Sequence, residues 1–230
     1  MVHARCLADV PALTAALAAL LREEFGRTGP EPRAVMLAGG STPLAAYAEL
    51  AGRPPAVADS LHLLWSDDRH VPAESPRSNY GNLKPLLQAL DLPPGRVLRV
   101  HGELPLADAA RRYDQDLAAF LGRGGRISLG LLGLGADGHT ASLFTAEDVR
   151  SPAGTWAIPV HRPDGLDGVS VTAALLAKVE RLVFVVTGTE KRPMAGALLR
   201  QPPSTAAGLA VSGHRGVEIW TDPAAWPFSA

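Results

Sequence analysis

The chain has 230 residues, a net charge of −1, 47% hydrophobic residues and one cysteine. That apolar fraction is enough for a packed core and excludes a disordered chain. Scattered Lys and Arg exclude a nucleic-acid stripe or a polybasic membrane patch, Cys6 alone excludes an intramolecular disulfide or a cysteine-built zinc site, and no apolar run reaches the roughly 18 residues of a membrane span.

Pro11–Leu21 is apolar and alanine-rich. A signal peptide has such a stretch, but Asp9 and Pro11 interrupt its start. Arg22, Glu23 and Glu24 stand where a small-residue cleavage site belongs. The pattern predicts instead an amphipathic helix capped by Asp9, with Leu13, Leu17, Leu20 and Leu21 on one face. Ala34–Ala38 is a short apolar run after a Gly-Pro-Glu-Pro turn and is expected to be a buried strand. Gly39, Gly40, Ser41 and Thr42 follow, then Pro43, so Thr42 is expected to cap a helix running to about Leu50. A strand, a glycine pair, two hydroxyls and a helix start present free N–H groups to an anion. The same residues also make an ordinary strand-to-helix turn, and neither a Walker sequence nor GxGxxG is present here.

Leu61–Trp65 is a second strand, followed by a polar loop from Ser66 to Ser78 that is long enough to suggest a purpose. Ser78 or Asn79 then caps an irregular helix containing Gly81 and Pro85. Val97–Val100 is a third strand, and Leu106–Leu121 is an amphipathic helix whose Ala109, Ala110, Tyr113, Leu117 and Phe120 share a face. Ile127–Leu134 is an apolar run that ends in a glycine-bounded loop, Gly135–Ser142, carrying Asp137 and His139. Further strands are expected at Trp156–His161, Val169–Val171, Leu182–Thr187, Leu209–Val211 and Val217–Trp220. Helices are expected from Thr172 to about Lys178 and from about Glu190 to Leu199. With no repeat, low-complexity tract or linker, residues 1–230 form one domain of alternating strands and helices, an α/β class with a mainly parallel sheet.

In a parallel sheet the Gly39–Thr42, Asp67–Ser78 and Gly135–Ser142 loops, and Lys191 beyond Gly188, share one edge, where open α/β sheets bind ligands. Together they offer amides, hydroxyls, Arg69, Lys191 and an imidazole. This set suits a phosphorylated small molecule whose chemistry is proton transfer. His139 as a neutral base takes a proton from water, and Asp137 either orients that imidazole or binds a substrate hydroxyl. The plain alternative for Asp137-Gly138-His139 is a turn with an exposed histidine. His62, Asp67, Asp68 and His70 lack any recognised metal-ligand spacing. No GxSxG elbow is present, and Cys6 has no local support as a nucleophile. Trp65, Trp156, Trp220 and Trp226 are read as packing residues.

LAGGSTP (Leu37–Pro43), WSDDRHVP (Trp65–Pro72) with SNYGNL (Ser78–Leu83), and LGLGADGHTASLF (Leu132–Phe144) together resemble the 6-phosphogluconolactonase family, in order and spacing. Gly188–Lys191 and the closing IWTDPAAW add to the likeness, which covers nearly the whole chain. The resemblance implies a Rossmann-like fold with helices on both faces of the sheet, shared with glucosamine-6-phosphate isomerase/deaminase. It implies hydrolysis of 6-phospho-D-glucono-1,5-lactone to 6-phosphogluconate, the second step of the oxidative pentose phosphate pathway, without metal or organic cofactor. Carried over by residue, it implies that His139 is the general base and that Asp137 supports it or holds substrate. Gly39, Gly40, Ser41 and Thr42 would line the sugar-phosphate site, with Asp68 beside them and Arg69 and Lys191 supplying positive charge.

The chain departs from the family pattern at Asp68 (usually glutamate), at Thr145 (commonly proline) and at Gly168, where an arginine is usual. Arg162, in the preceding loop, is a candidate substitute for that arginine. The residues after His139 separate two activities. A deaminase-like sequence would continue with isoleucine, alanine, phenylalanine and an Asn-Glu-Pro turn, whereas here Thr140–Phe144 follow. A sugar-phosphate sensor without catalysis is a further alternative, supported by Gly168 and opposed by His139. The expected partner is a small-molecule sugar-phosphate lactone, with neither nucleic acid nor membrane. The expected assembly is a monomer or weak dimer, and the single cysteine fits a reducing, cytoplasmic setting.

Overall fold

A computed structural model describes residues 2–228. In chain order the first half holds β1 (Val2–Cys6), α1 (Val10–Gly26), β2 (Arg33–Leu37), α2 (Ser41–Gly52), β3 (Leu61–Trp65), β4 (Asp67–Arg69), α3 (Asn79–Asn82), α4 (Lys84–Ala89), β5 (Val97–Leu98) and α5 (Leu106–Gly122). The second half holds β6 (Arg126–Leu132), α6 (Ala146–Val149), β7 (Ala157–His161), β8 (Asp167–Val171), α7 (Ala173–Leu176), β9 (Val179–Val186), α8 (Arg192–Arg200), α9 (Ala206–Ala210) and β10 (Val217–Thr221).

Seven strands make a wholly parallel sheet in the order β1-β10-β9-β6-β2-β3-β5. Its inner strands are apolar on both faces because both are covered, as parallel sheets require. Val35 and Leu37 of β2 and Leu129 and Leu131 of β6 face a core with Leu13, Leu17, Leu21 and Phe25 of α1 and Leu50 of α2. Met36, Ile127, Leu132 and Phe184 face a second core with Tyr113, Leu117 and Phe120 of α5 and Leu198 of α8. The Asp9 carboxylate caps α1 by accepting from the Ala12 N–H (2.7 Å), and Pro11 occupies its first turn, where it breaks no helical bond.

From β2 the chain moves outward through β3 to β5, and from β6 it moves the opposite way through β9 to β10. The loops after β2 and β6 therefore diverge at adjacent strand ends and leave a crevice between them, the switch point at which such sheets take ligands. A second, antiparallel sheet of three strands, β4-β8-β7, stands over that edge. Only Ser66 separates β4 from β3, and the Ser66 carbonyl accepts from the Val171 N–H (2.9 Å).

Several expectations are corrected. Leu209–Val211 is not a strand: α9 occupies Ala206–Ala210, with Thr205 accepting from the Gly208 N–H at its cap. The strands expected at Trp156–His161 and Val169–Val171 belong to the small antiparallel sheet, not the parallel one. The third strand is only Val97–Leu98. Thr42 does not cap α2, which starts at Ser41 with Gly40 before it. The Thr42 hydroxyl instead lies 3.1 Å from that of Thr187. Among the described residues no helix is long and apolar enough to cross a membrane.

Candidate active site

Two buried tyrosines fix the strand ends from which the site loops leave. The Tyr47 hydroxyl donates to the Ala38 carbonyl (3.0 Å) and accepts from its N–H (3.2 Å). Tyr113 does the same for Trp65, at 2.6 and 3.0 Å. Backbone groups at these ends have left the sheet ladder and are buried, so each phenol satisfies a pair that would otherwise be costly.

Between these ends lies a cleft of about 260 Å³, the scale of a site for one small molecule. Gly39, Gly40, Arg69, His139 and Lys191, all expected from the sequence, line it, and so do Asp67, Asn79 and Arg162. The other expected residues take different places. Ser41 is exposed at the first position of α2, and Thr42 faces Thr187. Asp137 stands behind the imidazole. Asp68 is buried behind the cleft wall, where its carboxylate accepts from the N–H groups of Arg69, Asn79 and Tyr80 and from the Ser78 hydroxyl, at 2.6–3.1 Å. Burial pushes its carboxyl up to about 6, against the pull of the Tyr80 and Asn79 N–H groups. It folds the Ser78–Tyr80 turn onto β4.

That turn delivers Asn79. Its amide nitrogen donates to the Asp67 carbonyl (2.9 Å) and its oxygen accepts from Arg69 Nη1 (2.8 Å), which aims the guanidinium. Among the described residues, Arg69 and Lys191 have no carboxylate within 4 Å, so both cations face the cleft unneutralised.

On the Gly135–Ser142 loop, Asp137 Oδ1 accepts from the His139 N–H (3.2 Å) and lies 2.5 Å from His139 Nδ1. An ionised carboxylate only accepts, so Nδ1 carries the proton and Nε2 keeps its lone pair. Partial burial raises the Asp137 carboxyl, but the bonds from the His139 amide and imidazole outweigh it and hold it below its ordinary range. Gly135 is needed for this closeness, because a Cβ there would run into the Asp137 carboxylate and His139 Nδ1. Phe144 packs on the imidazole (4.4 Å between ring centroids, tilted 41°) and fixes its plane. Thr140 donates to the Gly133 carbonyl (2.8 Å) and Ser142 to Asp67 Oδ2 (2.7 Å). The residues after His139 thus hold the Gly135–Ser142 loop in place.

Pattern alone does not mark Asp67, Asn79 or Arg162 as lining one site, although Asn79 lies in the SNYGNL stretch and Arg162 is the candidate substitute for the arginine usual at position 168. The polar cluster around His62 does not assemble. His62 Nδ1 lies 3.0 Å from the Ser60 carbonyl with its ring against Phe120, and His70 Nε2 lies 2.7 Å from the Leu104 carbonyl. Among the described residues no group of three His, Cys, Asp or Glu is placed to hold a metal ion.

The sequence model of the family described as glucosamine-6-phosphate isomerases/6-phosphogluconolactonase matches residues 8–220. A 6-phosphogluconolactonase of Haemophilus influenzae is 35% identical over 164 residues, 70% of each chain. One from Thermotoga maritima is 31% identical over 171 residues, 74% of this chain and 76% of that one. The crystal structure of the devB protein superposes with a TM-score of 0.85 at 27% identity, covering 98% of each chain.

Proposed function

The chain belongs to the glucosamine-6-phosphate isomerase/6-phosphogluconolactonase family, and from that premise we propose that it hydrolyses 6-phospho-D-glucono-1,5-lactone to 6-phosphogluconate. The observation that carries this reading is the pairing, within one cleft, of an imidazole held by a carboxylate with two cations, Arg69 and Lys191, that have no carboxylate partner among the described residues. The first is an acid–base pair, and the second is a seat for a phosphate.

His139 Nε2 takes a proton from water as the water oxygen bonds to the lactone carbonyl carbon. The carbonyl π pair moves onto its oxygen, where N–H donors stabilise the oxyanion best if already aimed at it. The oxyanion collapses, the ring C–O bond breaks, and its oxygen takes the proton from His139. The new carboxylic acid then ionises, releasing one proton per turnover. Asp137 keeps the imidazole in the tautomer with Nε2 free and stabilises the charge that ring carries between the two transfers. Arg69 and Lys191 hold the phosphate, and the Gly39–Gly40 amides line the sugar. The small sheet supplies one wall of the cleft, which supports reading the chain as one functional unit. A cytoplasmic setting, as the second step of the oxidative pentose phosphate pathway, accords with this reading.

The family model also covers isomerases. Against that activity stands the stretch after His139: Thr140–Phe144 bring no carboxylate to the cleft. Asp148 accepts from the Phe144 and Thr145 N–H groups, and Asp67, in the cleft lining, is held by the Ser66 and Ser142 hydroxyls.

The test is to generate the lactone in situ from glucose 6-phosphate with its dehydrogenase and to follow hydrolysis with and without this protein. The expected result is a rate proportional to added protein and well above spontaneous hydrolysis. A rate equal to the background contradicts the reading.

A further inference from the structure

Arg162 enters the cleft from the turn between β7 and β8, and its side chain is only 8% exposed. Its Nη1 donates to Ser142 Oγ (2.6 Å), and its Nε and Nη2 donate to Asp164 (3.2 and 3.3 Å). The guanidinium lies 5.2 Å over the face of Phe144, the ring that packs on His139. These contacts fix a long cation at a defined place in the wall, so its orientation is set before any ligand arrives.

Of the five N–H groups of a guanidinium, three are used in this way, which leaves one each on Nη1 and Nη2. Those two nitrogens form the fork that takes two oxygens of a carboxylate or phosphate at once. Asp164 occupies the Nε–Nη2 edge of the guanidinium and leaves the Nη1–Nη2 edge free. Asp67 Oδ2 stands 3.7 Å away, with its oxygens already accepting from Ser66 and Ser142.

The room for Arg162 comes from Gly168. In the small sheet Gly168 pairs with Arg69 on one side and Val160 on the other. A Cβ at this position would lie 3.3 Å from Arg162 Cδ and 3.0 Å from the Asp68 carbonyl oxygen. A side chain at this position would crowd the Arg162 stem, so Gly168 leaves that stem its room. The Asp164 carboxyl is held below its ordinary range by Arg162 first and by Arg69 as well, which accords with two guanidinium groups in one neighbourhood. Arg69, Arg162 and Lys191 stand against two carboxylates, Asp67 in the cleft lining and Asp164 on the outer edge of Arg162, which leaves one positive charge in surplus. That surplus complements a phosphomonoester, whose charge approaches about −2 at neutral pH.

We propose that Arg162 is a second guanidinium of the phosphate seat, admitted by Gly168, and that it makes the cleft select a phosphorylated sugar over its unphosphorylated counterpart. This rests on the sugar-phosphate reading of the cleft. The test is calorimetric titration of wild type, Arg162→Gln and Arg162→Lys with 6-phosphogluconate and, separately, with gluconate. Wild type is expected to bind 6-phosphogluconate far more tightly than gluconate; equal binding of the two by wild type overturns the underlying reading, and the proposal with it. With wild type selective, Arg162→Gln is expected to lose ten- to fifty-fold in affinity for 6-phosphogluconate and none for gluconate. Arg162→Lys, which keeps the charge and loses the fork, should fall between. A merely structural arginine would weaken both ligands together, and that result, or an unchanged affinity for 6-phosphogluconate in a folded variant, overturns the proposal.

Discussion

Asp137→Asn removes one charge from the site and leaves its shape. The asparagine oxygen can still accept from the His139 amide and from Nδ1–H, so the loop and the imidazole tautomer are kept. What is lost is attraction between the carboxylate and the imidazolium formed during turnover. Two unit charges about 4 Å apart attract by about 1 kcal/mol in water and about 4 kcal/mol at an effective dielectric constant of about 20. With the Asp137 and His139 side chains 56% and 25% exposed, the pair lies toward the screened end of that range. A loss of about 1.5–2.5 kcal/mol follows, or roughly ten- to seventy-fold in kcat. KM should hardly change, because the charge exists only after the proton has moved. The assay is steady-state hydrolysis of the phosphorylated lactone, with spontaneous hydrolysis subtracted. A kcat within about threefold of wild type would refute the electrostatic argument. A loss confined to KM would assign Asp137 to a substrate hydroxyl instead.

Two further outcomes concern the scaffold. Tyr113→Phe leaves the Trp65 N–H and carbonyl without their partner in a fully buried place and should cost about 2–4 kcal/mol in denaturant unfolding; a loss below about 1 kcal/mol would show that water replaces the phenol. Asp68 has a folded pKa of about 6 against an ordinary 3.8, so between those values the folded chain holds a proton that the unfolded chain releases. Its contribution to stability is therefore greatest below 3.8 and is lost as pH rises through 6, by at most about 3 kcal/mol. Relative to wild type, Asp68→Asn should flatten the fall in stability across that window, and parallel pH profiles of unfolding free energy would contradict this.

The strands that pattern located best, Ala34–Ala38, Leu61–Trp65 and Leu182–Thr187, are inner strands of a parallel sheet, whose two covered faces make the whole run apolar. Val2–Cys6 was missed because it is an edge strand with mostly exposed positions, including His3 and Arg5. The short helix at Ala206–Ala210 reads as a strand at Leu209–Val211 in the sequence, since five residues with a central glycine show no helical period. The loops that would converge on the sheet edge were legible, because parallel order alone puts them there. How side chains meet across the edge was not. Asp68 looks like a site residue beside Arg69, yet its carboxylate is spent on the Ser78–Tyr80 turn. Arg162 reaches the cleft only because a three-residue strand, Asp67–Arg69, pairs with β8 a hundred residues later in sequence, a non-local contact with no local signal.

His139 is proposed as the base for lactone hydrolysis, and replacing it by alanine removes that base outright. Its side chain lies on a partly exposed loop, so the melting temperature should stay close to that of wild type. Turnover of the phosphorylated lactone above background should fall at least about 10²-fold, as expected for loss of an acid–base group. A folded His139→Ala protein that still hydrolyses the lactone at nearly the wild-type rate would contradict the claim.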